Sequence, residues 1–577
     1  MTRRTFLLCT AAGVLAAGTW ISGPGGQTGQ ALAAAPAAEP AVGATAPANL
    51  TGTDPADAMP TVTPIKHLVV IFQENVSFDH YFATYPNATN PPGEPAFHAV
   101  AGTPSVNNLA TAHLLTNNPN FTNPANGKDA AEPFRLDRTQ AATADQNHNY
   151  TPEQQAYNGG KADLFPKYTG KGTPGAVGAF GTRGQVMGYY DGNTVTAIWN
   201  YAQHFAMSDN AYTDTYGPST PGALEVVSGQ TNGVRIIATS KKPFTLGSTS
   251  YYIRDGAGGL TLISDVDPAY DACSNPKDQV MMGGRNIGDL LNAAGITWGG
   301  FMGGFDLGPK NANGSTGCKR STYSTVVRST VVDYIPHHNW FQYYASTANP
   351  AHARPASLGA IGYSFDHDGK RDPANHEYGL QDFYNAVKTG NFPAVSFIKM
   401  PAYEDGHAGY SNPVDEQNGV VNLINFLERQ PDWKDTAIVV TWDDSDGWYD
   451  HAFTTPTNPS FDKEADQLDG PGKCGSGTPL PGIEGKAVNG RCGPGTRLPF
   501  LVISPWAKVN DVSHTLISQA SVARFIEDNW LKGARLGGGS FDATTGSIMD
   551  MFDFSSTGGH TRPLFLDPAT GSEVTKP

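Results

Sequence analysis

The chemistry-bearing residues of this chain gather at two places where an apolar run stops abruptly at acids. Thr436-Ala437-Ile438-Val439-Val440 runs into Thr441-Trp442-Asp443-Asp444-Ser445-Asp446-Gly447, and Ile65-Lys66-His67-Leu68-Val69-Val70-Ile71-Phe72 runs into Gln73-Glu74-Asn75. A buried strand ending in adjacent carboxylates fixes negative charge at the carboxyl edge of a sheet, where α/β proteins bind ligands. Two such ends offer oxygen donors that could share one cation.

A hydroxyl pair, Ser219-Thr220, is bracketed by Gly217-Pro218 and Pro221-Gly222 just before a helix-like stretch. A hydroxyl there would sit at a helix start, where the dipole and free N–H groups favour a phosphate. An ordinary N-cap has the same appearance. His148, His337, His338 and His407 lie in polar, turn-rich segments beside aromatics and not on apolar helix faces. With the carboxylates and the bracketed serine they have the makings of an oxyanion site.

These residues stand in an ordered motif set. Glu74-Asn75-Val76-Ser77-Phe78-Asp79, Gly217-Pro218-Ser219-Thr220-Pro221, His337-His338, Asp405-Gly406-His407 and Trp442-Asp443-Asp444-Ser445-Asp446-Gly447 together resemble the bacterial phosphoesterase family of secreted acid phosphatases and non-haemolytic phospholipases C. The resemblance spans roughly residues 62 to 532 and implies an α/β fold, an alkaline-phosphatase-like three-layer α/β/α sandwich with long loop insertions. It implies one divalent metal ion held by Glu74, Asn75, Asp443 and Asp444, with Ser219 both nucleophile and ligand. His148, His337, His338 and His407 would hold the phosphoryl oxygens, one of them protonating the leaving group. The all-oxygen ligand set favours a hard cation such as Ca²⁺, Mg²⁺ or Mn²⁺. Cationic histidines imply an acidic optimum.

Val76 and Pro221-Gly222-Ala223 stand where many phospholipases C of that family carry Arg and Pro-Asn-Arg, so the acid phosphatase branch is expected, with phospholipase C as the alternative. The expected substrate is a small phosphate ester, or a phospholipid on the alternative. A rival of another class, a secreted binding protein with a structural ion, would leave the serine and the histidines without a role.

The elements that must position these groups follow the α/β pattern of alternating runs. Expected strands are 66–72, 296–301, 394–398, 436–442 and 498–504; expected helices are 286–294, 419–428 and 518–531. The Gly-, Pro- and Asn-rich segments 85–200, 245–285 and 452–495 read as surface elaborations on one catalytic domain spanning residues 61–577.

Thr2-Arg3-Arg4-Thr5-Phe6-Leu7-Leu8, a modestly apolar run and Ala31-Leu32-Ala33 read as a twin-arginine signal peptide over residues 1–33, with an ordinary secretory leader as the alternative. The Ala/Pro-rich residues 34–60 read as a disordered linker. Cleavage removes Arg3 and Arg4 and no acids, taking the formal charge from −15 to −17 and making nucleic acid an unlikely partner. No run is long and apolar enough to span a membrane. Cys273, Cys318, Cys474 and Cys492 remain, and sequence proximity favours pairing Cys273 with Cys318 and Cys474 with Cys492 among three connectivities.

Overall fold

Strand β1 (His67–Gln73) is the central strand of a nine-stranded sheet, and every one of its residues is buried. The computed structural model describes residues 43–50, 54–555, 559 and 562–575. The other strands of this sheet are β2 (Ala206–Tyr212), β3 (Trp298–Met302), β4 (Glu377–Gly379), β5 (Val395–Lys399), β6 (Thr436–Trp442), β7 (Arg497–Ile503), β8 (Asp511–Ser513) and β9 (Ile517–Ser518). Their order is β4-β3-β5-β1-β6-β7-β2-β8, with β9 also on β2; only β7 runs against the rest. Burial of all residues of β1, β6 and β7 means that both faces of the sheet are covered, the layered α/β arrangement the sequence implies.

The helices that matter for the site are α1 (Phe78–Phe82), α2 (Tyr150–Tyr157), α3 (Ser219–Ser228), α4 (Ile287–Ala294), α5 (Pro413–Leu427) and α6 (Ala520–Trp530). Each starts where its sequence allows. Ser77 caps α1 by accepting from His80 N, and Asn412 caps α5 by accepting from Val414 N and Asp415 N, with Pro413 in the first turn. Helix α3 ends at Gly229, whose φ of 56° is the left-handed cap that glycine adopts without strain.

Several expectations need correction. Part of the expected disordered linker is packed: Thr45 bridges Phe365, Pro55–Ala58 form a helical turn, and buried Asp54 accepts from the Ala56 and Phe392 backbone. That carboxylate is why a small-residue segment can dock without a large apolar side chain. The insertions are more than surface elaborations, because α2, Phe165, Tyr216, Tyr449 and the Cys474–Cys492 pair form a second buried apolar cluster. The expected leader, residues 1–33, lies outside the described residues. Both disulfides join the cysteines that proximity favours, Cys273–Cys318 and Cys474–Cys492. No helix among the described residues is long and apolar enough to cross a membrane.

Candidate active site

Parallel pairing of β1 with β6 puts Gln73 opposite Trp442. The next residues, Glu74-Asn75 and Asp443-Asp444, therefore leave the sheet at the same edge. Asn75 (φ 66°) and Asp446 (φ 54°) turn there through the left-handed region, which asparagine and aspartate tolerate better than other side chains. Ser219, the first residue of α3, is brought to the same point. Its Oγ lies 3.0 Å from Glu74 Oε2, 3.1 Å from Asp444 Oδ2 and 3.3 Å from Asn75 Oδ1. All four residues are buried.

One hydroxyl proton cannot serve three acceptors, and without a cation the Asn75 carboxamide is better satisfied turned over, its N–H groups donating to Glu74 Oε2 and Asp444 Oδ2 and its oxygen accepting from His407 Nε2. Four oxygens of this kind, two of them carboxylate, suit a hard divalent cation, and Glu74, Asn75, Asp444 and Ser219 are the residues that would hold it. Electrostatics agrees: burial and then Asp443 push the Asp444 carboxyl well above the usual carboxylate range. Burial and then Glu74 raise Asp443 to about 7.

The two oxygens of Asp443, an expected ligand, face different neighbours. Its Oδ1 accepts from Asn75 N at 2.9 Å and Asp444 N at 2.8 Å, while its Oδ2 lies 3.9 Å from Lys399 Nζ. It thus braces the turn that presents the other ligands. The helix start of α3 differs from expectation. Thr220 N donates to Asp265 and Gly217 N to Glu153, so these two donors serve the protein's own carboxylates and not a phosphate.

All four histidines meet. Ring centroids run 5.9 Å from His148 to His407, 6.2 Å from His407 to His338 and 4.5 Å from His338 to His337. His148 Nδ1 is 3.1 Å from Asp446 Oδ1, and His337 Nδ1 is 3.6 Å from Asp267 Oδ1. Burial opposes charge on both rings, but Asp444 and Asp446 hold His148 well above the ordinary imidazole value, and Asp267 and Asp265 hold His337 above it. His338 is the exception to the expected set of cations. Burial, His337 and Lys399 drive it well below the ordinary value, and its Nδ1 sits 3.0 Å from Glu74 Oε1.

Two site residues escaped the sequence analysis. Lys399, the last residue of β5, is buried in ion-pair contact with Glu74 Oε1. A lysine ending an apolar strand was the available signal. Glu153 accepts from Gly217 N at 2.9 Å and Ser445 Oγ at 2.7 Å, clasping the serine loop to the aspartate loop; burial raises it to about 8. Asp405, of the Asp405-Gly406-His407 motif, lies 3.7 Å from His338. His514, outside the cluster, hydrogen-bonds Asp209.

A hydroxyl at the carboxyl edge of a mostly parallel sheet, among oxygens that could hold a cation and four imidazoles, is the setting of a hydrolase acting on phosphoric ester bonds. The chain belongs to the Phosphoesterase family, whose model matches residues 65–531. It is 23% identical to Phospholipase C A of Mycobacterium tuberculosis over 531 residues, 89% of this chain and 81% of that protein. It is also 23% identical to the non-haemolytic phospholipase C of Burkholderia pseudomallei over 480 residues, 81% of this chain and 55% of that protein. Among solved structures, murine ectonucleotide pyrophosphatase / phosphodiesterase 5 is similar at a TM-score of 0.27 and 12% identity, covering 62% of this chain and 95% of that one.

Proposed function

We propose that the chain is a metal-dependent phosphomonoesterase that works through a phosphoseryl intermediate on Ser219. The observation that carries the proposal is Ser219 Oγ at 3.0 to 3.3 Å from three cation-binding oxygens, with four imidazoles converging beside it. When bound, a divalent ion lowers the pKa of the hydroxyl and neutralises phosphoryl charge.

The chain's own groups account for the rest. Glu153 and Asp443 fix the two loops, so the hydroxyl is presented in one orientation. The Ser219 hydroxyl gives its proton to the Asp444 carboxylate 3.1 Å away, its oxygen attacks phosphorus, and the P–O bond to the ester oxygen breaks with the electron pair leaving on that oxygen. His148 and His337, charged on the acid side of neutrality, balance the phosphoryl oxygens, and the more enclosed His148, aligned by Asp446, is placed to give the leaving oxygen its proton. Water then releases phosphate from Ser219.

Two features support a small polar substrate. Beside the buried serine, His337, Asp145, Asp265 and Asp267 are partly exposed charged side chains, whereas a diacylglycerol would need apolar ones there. Trp340, Phe341, Tyr343 and Tyr344, which follow the histidine pair in sequence, are at most 2% exposed and pack in the core, which removes them as a cage for a quaternary ammonium. The names of the similar proteins favour the second reading, a phospholipase C acting on phosphodiesters. Comparing kcat/KM for p-nitrophenyl phosphate and p-nitrophenylphosphorylcholine across pH separates them. The monoester is expected to be the better substrate, with an optimum below pH 7; a clear preference for the choline diester establishes the second reading instead.

A further inference from the structure

The two oxygens of Glu74 face different neighbours. Oε2 faces Ser219 Oγ at 3.0 Å, whereas Oε1 contacts Lys399 Nζ and lies 3.0 Å from His338 Nδ1. On that second side stands a complete donor set for another divalent ion. Glu74, His338 and Asp405 each offer a ligand atom within 4.8 Å of the others. Asp443 Oδ2, buried and without a hydrogen-bond partner, points at Lys399 from 3.9 Å. Three carboxylates and an imidazole in such a cluster are an ordinary first shell for Mn²⁺ or a similar cation.

The space is already taken by an ammonium group. Lys399 comes from β5, the strand beside β1, so its side chain reaches the centre from within the sheet and not from a loop. Its Nζ also lies 5.4 Å from the Phe72 ring centroid, which closes the apolar side of the pocket. A fully buried ammonium is costly unless carboxylates surround it, and these carboxylates repel one another unless a cation lies among them. The two requirements are met by the same arrangement.

We infer that Lys399 is a built-in counter-ion that takes the place of a second metal: it neutralises the far side of Glu74 and Asp443 and keeps the centre at one divalent ion. Lys399 is a positioning residue in this account, acting through Glu74. The inference rests on the single-metal reading of the Ser219 site.

The test is Mn²⁺ binding by the whole chain, with stoichiometry by equilibrium dialysis and elemental analysis and the state of the ions by electron paramagnetic resonance. Wild-type protein is expected to bind one Mn²⁺ with the six-line signal of an isolated ion. Lys399→Ala empties the pocket and should bind two, with the broadened signal of a coupled pair because the Glu74 carboxylate spans both. Lys399→Met keeps the volume without the charge, so it should still bind one Mn²⁺, but at least about tenfold more tightly because a repelling charge is gone. The Met variant carries the test if the Ala variant fails to fold. Two ions in the wild-type protein, or Ala and Met variants that match it in both stoichiometry and affinity, would overturn the inference. Wild-type protein that binds no Mn²⁺, Mg²⁺ or Ca²⁺ contradicts the metal centre itself.

Discussion

At the residue scale, the structure separates two adjacent aspartates that the sequence treats as equivalent. Asp444 Oδ2 faces Ser219 Oγ, whereas Asp443 holds the backbone of Asn75 and Asp444. Asp444→Asn is therefore expected to weaken metal binding at least about tenfold and to lower kcat by about 10³-fold, the scale of losing a charge-stabilising group. Asp443→Asn should lower kcat with a smaller effect on metal affinity, since its amide still accepts the two backbone bonds through Oδ1. Isothermal titration with Mn²⁺ and steady-state kinetics on both variants check this; equal metal affinities would mean that the two carboxylates share one role. Ser219, Asp444 and the histidines stood out only as an ordered motif set, since each alone reads as an N-cap, a turn carboxylate or a loop histidine. Lys399 and Glu153 did not, because each lies in an ordinary strand or helix pattern, and only packing brings it to the serine.

At the element scale, the apolar runs of β1 and β6 were readable because strands buried on both faces are written without alternation. Strand β2 was missed, since Ser208-Asp209-Asn210 interrupt its apolar residues; Asp209 is paid for by His514 Nδ1 and Asn107 N. Helix α5 was expected from residue 419 but starts at Pro413, where Asn412 and Pro413 give a cap signal that hydrophobic periodicity does not. The earlier turns matter for the site, because Glu416 accepts from Trp442 Nε1 at 2.8 Å and Tyr81 Oη at 2.7 Å, fixing the end of β6. Asn412→Ala should cost about 1 kcal/mol of stability, the usual effect of an N-cap. Urea denaturation of the variant measures it, and no loss would mean that tertiary packing alone sets the start of α5.

At the scale of the whole molecule, both disulfides suit an oxidising compartment, and the charge of −15 leaves the chain an acidic surface. The proposed acidic optimum requires the fold to persist at acid pH. His67 in β1 is buried, stacked on Phe392 at 4.0 Å and lowered by burial to about 4. The unfolded chain, with its histidine near 6.5, binds that proton first, so the native state loses stability as pH falls from about 6.5 to about 4. Between pH 7 and pH 5 this one residue accounts for about 2 kcal/mol. His67→Phe should flatten the acid limb of the stability profile by that amount relative to the parent, whatever its effect at pH 7. Denaturation curves at both pH values decide it, and an unchanged pH difference would show that His67 does not titrate on unfolding.

The claim on which everything else depends is that Ser219 attacks phosphorus. Metal-loaded enzyme mixed with p-nitrophenyl phosphate, quenched in acid during turnover and digested, should yield phosphate on the peptide containing Ser219 and none in Ser219→Ala. Phosphate on Thr220, or no phosphopeptide from an enzyme that is turning over and rapidly quenched, would contradict the account.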